Sequence, residues 1–163
     1  MHSHPDDLRA EADVAVAALA WQGEYYVDAD HIGQNTVAPF LTGSNFFTLD
    51  VADFTGKPAD EASLSAFAQS MAAHLGALPI PCIASPVVLT TEIVRAAAAK
   101  FLLAMQEAGR VYQYITGHKG AGTFVIEVSV DETDSPQTLV ELGTLVMWPL
   151  TAGRSGNTAA GSG

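Results

Sequence analysis

The spacing of apolar and polar residues along the chain predicts three β-strands. The clearest is TFVIEVSV at 123–130, where Phe, Ile and Val on one face alternate with Thr, Val, Glu and Ser on the other, because successive side chains of a strand point to opposite faces of a sheet. The stretches EYYVDAD at 24–30 and NFFTLDVAD at 45–53 predict two earlier strands. Each of the three strands therefore has one acidic face and one apolar face.

Helical segments separate these strands. Helix-forming residues with an acidic start predict a helix at 7–20, and apolar residues at every third or fourth position predict another at 58–76. A long helix is predicted at 90–118, and Pro136 favours the first turn of a further helix that starts at Ser135. Strands joined by helices rather than by hairpins indicate βα units and a parallel sheet.

The predicted fold class is α/β, a parallel-stranded partial (β/α) barrel of about three to four βα units. A closed eight-unit barrel typically requires ~200 to 250 residues, and this chain of 163 residues is too short for one. We expect a single partial-barrel domain over residues 1–150. The last segment, TAGRSGNTAAGSG at 151–163, has no apolar periodicity and predicts a disordered tail.

Composition excludes several classes of partner. The formal net charge is −11, from 7 basic and 18 acidic residues, and this charge repels the phosphates of nucleic acids and of anionic membranes. The longest apolar run, at 96–105, is interrupted by Lys100 and is too short to span a bilayer. The start of the chain lacks a secretory pattern, and the single cysteine, Cys82, cannot form an internal disulfide. We therefore expect a cytoplasmic protein.

The acidic residues cluster in the predicted strands. Eight of the 18 fall inside or just after an apolar run: Asp28, Asp30, Asp50, Asp53, Glu127, Asp131, Glu132 and Asp134. An antiparallel sheet with its polar face in water would also explain them. In a helix-covered parallel sheet, however, both faces are buried, so Glu127 is expected to be buried and the carboxylates to point into a crevice. That crevice lies at the carboxyl ends of the strands, where Asp30 and Asp131 are predicted.

The segment YYVDADHIG at 25–33 has the residue types of a metal or acid–base site. Carboxylate and neutral imidazole both bind divalent cations, and Asp30 is also suited to act as a general base. A calcium-binding EF-hand loop is excluded, because Ile32 and Pro39 occupy its fifth and twelfth positions. A solvated loop or a structural role for His31 remains an alternative. Lys119, in the glycine-rich TGHKGAG at 116–122, could bind an anion or belong to a flexible turn.

Three segments together resemble a known enzyme family. YYVDADHIG, FFTLDVAD and EVSVDETDSPQT occur in this order between Asp6 and Glu141, and they are similar to motifs of the tagaturonate/fructuronate epimerases. These are metal-dependent TIM-barrel enzymes of hexuronate catabolism. The resemblance implies an isomerase that interconverts D-tagaturonate and D-fructuronate by metal-assisted retro-aldol chemistry, with a small sugar acid as substrate.

The resemblance also implies roles for individual residues. Asp30 would be the general base, His31 a ligand of a divalent cation of unknown identity, and Glu127 or Glu132 the proton donor. We further expect contacts with the substrate from Asp28, Asp50, Lys119 and Asp131.

The chain departs from the family after Glu141. A full-length member would continue through more barrel strands and two further ligand histidines, whereas this sequence continues as TLVMWPLTAGRSGNTAAGSG. We expect a truncated or frame-shifted product that carries the middle of the barrel and lacks activity by itself, and its oligomeric state is open. Two alternatives are a non-catalytic α/β fragment and a metal-dependent aldolase or sugar isomerase on the same scaffold.

Overall fold

The computed structural model describes residues 4–79 and 86–130, and it contains the three predicted strands and the three helices predicted within these residues. In chain order the elements are α1 (Pro5–Ala18), β1 (Asp28–Ile32), β2 (Phe46–Asp50), α2 (Glu61–Ser70), β3 (Gly76–Leu78), β4 (Val87–Leu89), α3 (Thr91–Lys119) and β5 (Val125–Ser129). Short 3₁₀ helices follow β1, β2 and α2, at Ala38–Phe40, Ala52–Phe54 and Met71–His74.

The described residues form two compact units. One contains residues 4–53 and 106–130, and the other contains residues 54–79 and 86–105. The predicted domain 1–150, the helix predicted from Ser135 and the tail 151–163 extend beyond the described residues. Those three expectations therefore stay predictions.

The first unit contains a three-stranded parallel sheet in the order β1-β2-β5. The parallel arrangement predicted from the helical spacing is thereby confirmed, and within the described residues the sheet does not close into a barrel. The connection from β1 to β2 differs from the prediction of helical connections, because it contains only the 3₁₀ turn Ala38–Phe40.

Asn45 joins the amino ends of the three strands. Its side-chain amide donates to the carbonyl of Tyr25 at 3.0 Å and accepts from the N–H of Val27 at 2.7 Å. Its backbone N–H donates to the Val27 carbonyl at 3.1 Å, and its carbonyl accepts from the N–H of Val125 at 3.0 Å. The side-chain amide of Asn45 thus pairs with backbone groups of Tyr25 and Val27 that a longer β1 would pair with the backbone of β2. This explains why β1 begins at Asp28 rather than at residue 24.

The register assigns the side chains of the sheet to two faces. Asp28 lies opposite Phe46, and Thr48 lies opposite Glu127. The face that carries Asp28, Thr48, Asp50 and Glu127 is called the acid face below. The other face is apolar, and its residues Ala29, Phe47 and Leu49 are almost completely buried.

Aromatic contacts link the apolar face to the end of α3. The rings of Phe47 and Phe124 meet edge-on with centroids 5.8 Å apart. Tyr112 of α3 contacts the same Phe124 ring at 5.8 Å. Edge-on aromatic pairs of this kind add to the stabilisation that apolar burial gives, so the apolar face forms part of the first unit's core.

The second unit has its own core between α2, the 3₁₀ turn that follows it, and the first half of α3. Asp60 caps α2 by accepting from the N–H of Ser63 at 2.9 Å. The helix predicted at 58–76 is shorter in the structure, and β3 and β4, which follow it in the chain, form an antiparallel pair. The buried core residues are Ala59, Phe67, Met71, Leu89, Val94, Ala98 and Leu102.

No helix in the described part of the chain combines the length and the apolar character needed to cross a membrane.

We predict that Asn45→Ala lowers the free energy of unfolding by about 2 kcal/mol, because two backbone groups, one on Tyr25 and one on Val27, lose their side-chain partner. Urea denaturation followed by circular dichroism measures this difference. Asn35, which is exposed in the turn after β1, is the matched control. Asn35→Ala should change stability by less than about 0.5 kcal/mol, and an equally small effect of Asn45→Ala would contradict the assigned role.

Candidate functional site

A β-bulge interrupts the pairing of β1 with β2 at the carboxyl end of β1. Ala29 lies opposite Phe47 and Ile32 lies opposite Leu49, so Asp30 and His31 together lie opposite the single residue between Phe47 and Leu49. Bulges occur often beside active sites, where they redirect side chains.

The backbone of His31 is strained at this bulge. Its φ is +52°, in the left-handed region that costs a residue other than glycine roughly 1 to 2 kcal/mol. Strained backbone of this kind persists only where the surrounding structure holds it, and it is concentrated at functional sites. The bulge is therefore the strongest structural indication of a site in the described residues.

The bulge brings the side chains of Asp30 and His31 together. The imidazole Nδ1 lies 2.6 Å from the carboxylate Oδ1 of Asp30, although neighbouring residues of a regular strand point to opposite faces. An ionised carboxylate only accepts, so Nδ1 is the donor, and the lone pair of the neutral ring is then on Nε2. The two side chains, called the Asp30–His31 pair below, are 73% and 52% exposed.

Thr48 holds a second carboxylate on the acid face. Its hydroxyl, in a residue that is only 5% exposed, donates to Oδ2 of Asp28 at 3.1 Å. Glu127 is the register partner of Thr48 on the other side. Asp28 in β1 and Glu127 in β5 lie on the same face, with β2 between their strands. Since adjacent strands lie ~4.8 Å apart, the backbones of β1 and β5 are about 10 Å apart.

Asp50 lies at the carboxyl end of β2, on the same face. Its carboxylate accepts from the N–H of Ala52 at 3.1 Å, which turns the chain into the 3₁₀ helix that follows. The side chains of Asp28, Asp50 and Glu127 are exposed. The expectation that Glu127 is buried is therefore wrong: β5 is an edge strand of the described sheet, and the three carboxylates of the acid face, unlike Thr48, are exposed.

Lys119 lies away from these carboxylates. It ends α3, before the amino end of β5, whereas the Asp30–His31 pair is at the carboxyl end of a parallel strand. Its Nζ donates to the Leu41 carbonyl at 2.7 Å and lies 6.0 Å from the centroid of the Phe47 ring, on the apolar face. Burial, and to a smaller extent the charge of Arg9, lowers the pKa of Lys119.

The other predicted site residues, Asp131 and Glu132, lie outside the described residues. The choice between Glu127 and Glu132 as proton donor therefore stays open. The structure brings together Asp30 with His31, and it places Asp28, Asp50 and Glu127 on one face.

Within residues 4–79 and 86–130, no three His, Cys, Asp or Glu side chains come close enough to hold a metal ion together. A catalytic divalent site typically uses about three protein ligands and an open position. The described residues therefore do not form a complete metal site by themselves, and the Asp30–His31 pair supplies two side chains of suitable type.

Sequence reasoning missed the bulge and the role of Thr48. A signal was nevertheless present, because the buried residues Ala29 and Ile32 are three positions apart, and a regular strand separates residues on one face by an even number of positions. An odd spacing between apolar residues inside a short strand indicates an inserted residue.

Fold and site together define a protein with a parallel α/β sheet and a polar site at the carboxyl end of its strands. No protein-family model matches the sequence, and no curated protein matches it. Among solved structures, the chain is similar to a glycerol-complexed crystal structure of fructuronate-tagaturonate epimerase UxaE from Cohnella laeviribosi, with a TM-score of 0.62 and 18% sequence identity. The match covers 87% of this chain and 31% of that chain, so this chain spans about a third of its length. At this identity the likeness shows the fold.

We predict that His31→Gly is more stable than His31→Ala by about 1 kcal/mol. Both variants lack the imidazole, so their difference isolates the cost of a Cβ at φ +52°. Thermal and urea unfolding of the two proteins measure it. A His31→Ala protein as stable as His31→Gly would show that the left-handed backbone is absent in solution.

Proposed function

We propose that this chain carries part of the acid–base site of a hexuronate epimerase, one that interconverts D-tagaturonate and D-fructuronate. The observation that supports this proposal most is the Asp30–His31 pair, at a strained bulge where a parallel strand ends. The similarity of the fold to an epimerase structure supports the reaction class. The proposal concerns a site to which groups outside the described residues also contribute.

The stereochemistry of the reaction limits its mechanism. The two sugar acids differ at the hydroxyl-bearing carbon one position beyond the carbon adjacent to the ketone, so enolisation alone does not reach it. A retro-aldol step does: loss of the hydroxyl proton on that carbon, with cleavage of the bond toward the ketone, gives an aldehyde and an enediolate. Rotation of the aldehyde and re-addition then form the same bond with the opposite configuration.

The Asp30–His31 pair has the groups that this step needs. Asp30 is exposed and near the strand end, so a substrate hydroxyl can reach its carboxylate, and His31 holds that carboxylate in one orientation through Nδ1. The Asp30 carboxylate takes the hydroxyl proton during cleavage, and Glu127 or Glu132, on the other side of the reacting carbons, gives a proton to the alkoxide oxygen that re-addition forms. Proton exchange with water then returns both carboxyl groups to their starting states.

The remaining acid-face groups orient the substrate. The Thr48 hydroxyl fixes the Asp28 carboxylate, and the Ala52 N–H fixes that of Asp50. Fixed carboxylates accept hydrogen bonds from sugar hydroxyls without a further loss of side-chain freedom.

The charges of substrate and protein support a role for a divalent cation. The substrate is an acid, and the face proposed to bind it carries carboxylates in a chain of net charge −11. Like charges at short range repel each other, though less in water than in an enclosed site. A divalent cation would remove this repulsion, with His31 as one ligand and the others supplied from outside the described residues.

The exposure of the acid face favours a second candidate, a non-catalytic α/β fragment that binds a sugar acid or metal weakly. Carboxylates in bulk water interact with a ligand less strongly than carboxylates in an enclosed site. The two candidates differ in whether Asp30 determines what the protein does to a hexuronate.

We predict that D-tagaturonate, added with Zn²⁺ to the full chain, shifts the backbone amide resonances of residues 28–33 and 48–50 in a saturable way. In Asp30→Asn the affinity should be at least about tenfold weaker, since a charge-assisted hydrogen bond is lost. Two-dimensional ¹H–¹⁵N NMR measures both titrations. The same samples, assayed for D-fructuronate, should show little or no turnover, because the described residues lack a full metal-ligand set.

Asp53, which follows the strand end without belonging to the acid face, is the matched control, and Asp53→Asn should bind like the unchanged protein. Equal affinities for the unchanged protein and Asp30→Asn, or no saturable shift at the bulge, would favour the non-catalytic fragment. Robust turnover that depends on Asp30 would show instead that a second subunit completes the site.

A further inference from the structure

A pocket at the amino ends of the strands lies on the opposite edge of the sheet from the Asp30–His31 pair. It measures about 500 Å³, within the range of small-molecule sites. It lies between the segment that leads into β2 and the segment that leads from α3 into β5. Its lining residues are Ala38, Leu41, Thr42, His118, Lys119 and Thr123.

The residues that line the pocket include the cation Lys119 and no carboxylate. Lys119 donates to the neutral carbonyl of Leu41, and no carboxylate of the described residues forms an ion pair with it. Arg9 is close enough to act on the charge of Lys119, although Asp13 pairs with Arg9 at 2.9 Å. The Asp6 carboxylate approaches the backbone of Gly43, next to Thr42, from outside the lining, so Lys119 is the charge that faces the pocket.

The end of α3 would oppose an anion through the negative end of its dipole. Here its last carbonyls already have partners. The Tyr114 carbonyl accepts from Nδ1 of His118 at 2.7 Å, the Thr116 carbonyl accepts from the N–H of Gly120, and the Lys119 carbonyl lies 3.0 Å from the Thr123 hydroxyl. These contacts reduce the opposing field and leave the Lys119 ammonium as the main charge at the pocket.

We infer that this pocket binds a small oxyanion, a phosphate or carboxylate group, with Lys119 as the charged anchor and Thr42 as a hydroxyl donor. A net-negative protein repels anions in general, so a place that holds one must have a local excess of cations and donors. This site is independent of the proposed epimerase chemistry, since it shares no residue with the acid face.

Inorganic phosphate is the probe, and the full chain is titrated with it by two-dimensional NMR at constant ionic strength, against chloride. Saturable shifts are expected at Thr42, Lys119 and Thr123 with phosphate and not with chloride. An acetate titration separates the two ligand classes, because a site for phosphate groups binds acetate more weakly and a site for carboxylates binds it at least as well.

Lys119→Met keeps an unbranched apolar side chain near the Phe47 ring and removes the charge, and it should weaken phosphate binding at least about tenfold. Lys57, whose Nζ lies 5.9 Å from the Phe54 ring centroid, is the matched control, and Lys57→Met should bind phosphate like the unchanged protein. Thr42→Val, at an exposed position, decides the question if Lys119→Met does not fold, and it too should weaken binding. The inference would be overturned if phosphate and chloride shift the same resonances equally, or if Lys119→Met or Thr42→Val binds phosphate as tightly as the unchanged protein. It would also be overturned if Lys57→Met loses as much phosphate affinity as Lys119→Met.

Discussion

The structure of the first unit depends on the register of β2, which Asn45 sets at the amino ends of the strands. Its amide pairs with the backbone of residues 25 and 27, and its carbonyl pairs with the N–H of Val125. A slip by one residue would move every side chain of the strand to the other face. Asn45 therefore determines that Phe47 and Leu49 enter the core while Thr48 and Asp50 lie on the acid face.

The bulge at Asp30 and His31 is the point at which this regular pairing is broken. Ala29 and Ile32 both remain buried against β2, so burial on each side of the bulge holds a backbone conformation that His31 would not adopt by itself. The cost of the left-handed φ is met by the packing of its neighbours. As a result, the adjacent side chains of Asp30 and His31, which a regular strand would place on opposite faces, lie in contact.

Much of the fold could be predicted from the sequence, because the alternation in FFTLD and VIEVS is a local property that sterics translate directly into strands. The parallel pairing followed from the absence of hairpin signals. The exact start of β1 did not, since it depends on a side chain eighteen residues away, Asn45, which takes over the pairing with Val27. Burial of Glu127 was wrongly predicted because the prediction assumed that both faces of the sheet are covered, whereas the carboxylates of the acid face are exposed.

The candidate site could be predicted in its residue types and not in its geometry. Asp30 and His31 stand out by composition at the end of an apolar run, but only the pairing with β2 shows that they share one side of the sheet. Lys119 illustrates the opposite case. Its residue type suits an anionic substrate, yet α3 delivers it to the amino ends of the strands, because chain topology rather than residue type determines which edge a side chain reaches.

At the bulge, the Asp30 carboxylate beside Nδ1 determines which ring nitrogen of neutral His31 carries the proton. The ¹⁵N chemical shifts of the His31 ring nitrogens, measured by long-range ¹H–¹⁵N correlation in the unchanged protein and in Asp30→Ala, test it most directly. We expect neutral His31 to carry its proton mainly on Nδ1 and Asp30→Ala to shift the proton toward Nε2. A ring that is protonated mainly on Nε2 in the unchanged protein, or a tautomer ratio that Asp30→Ala leaves the same, would contradict it.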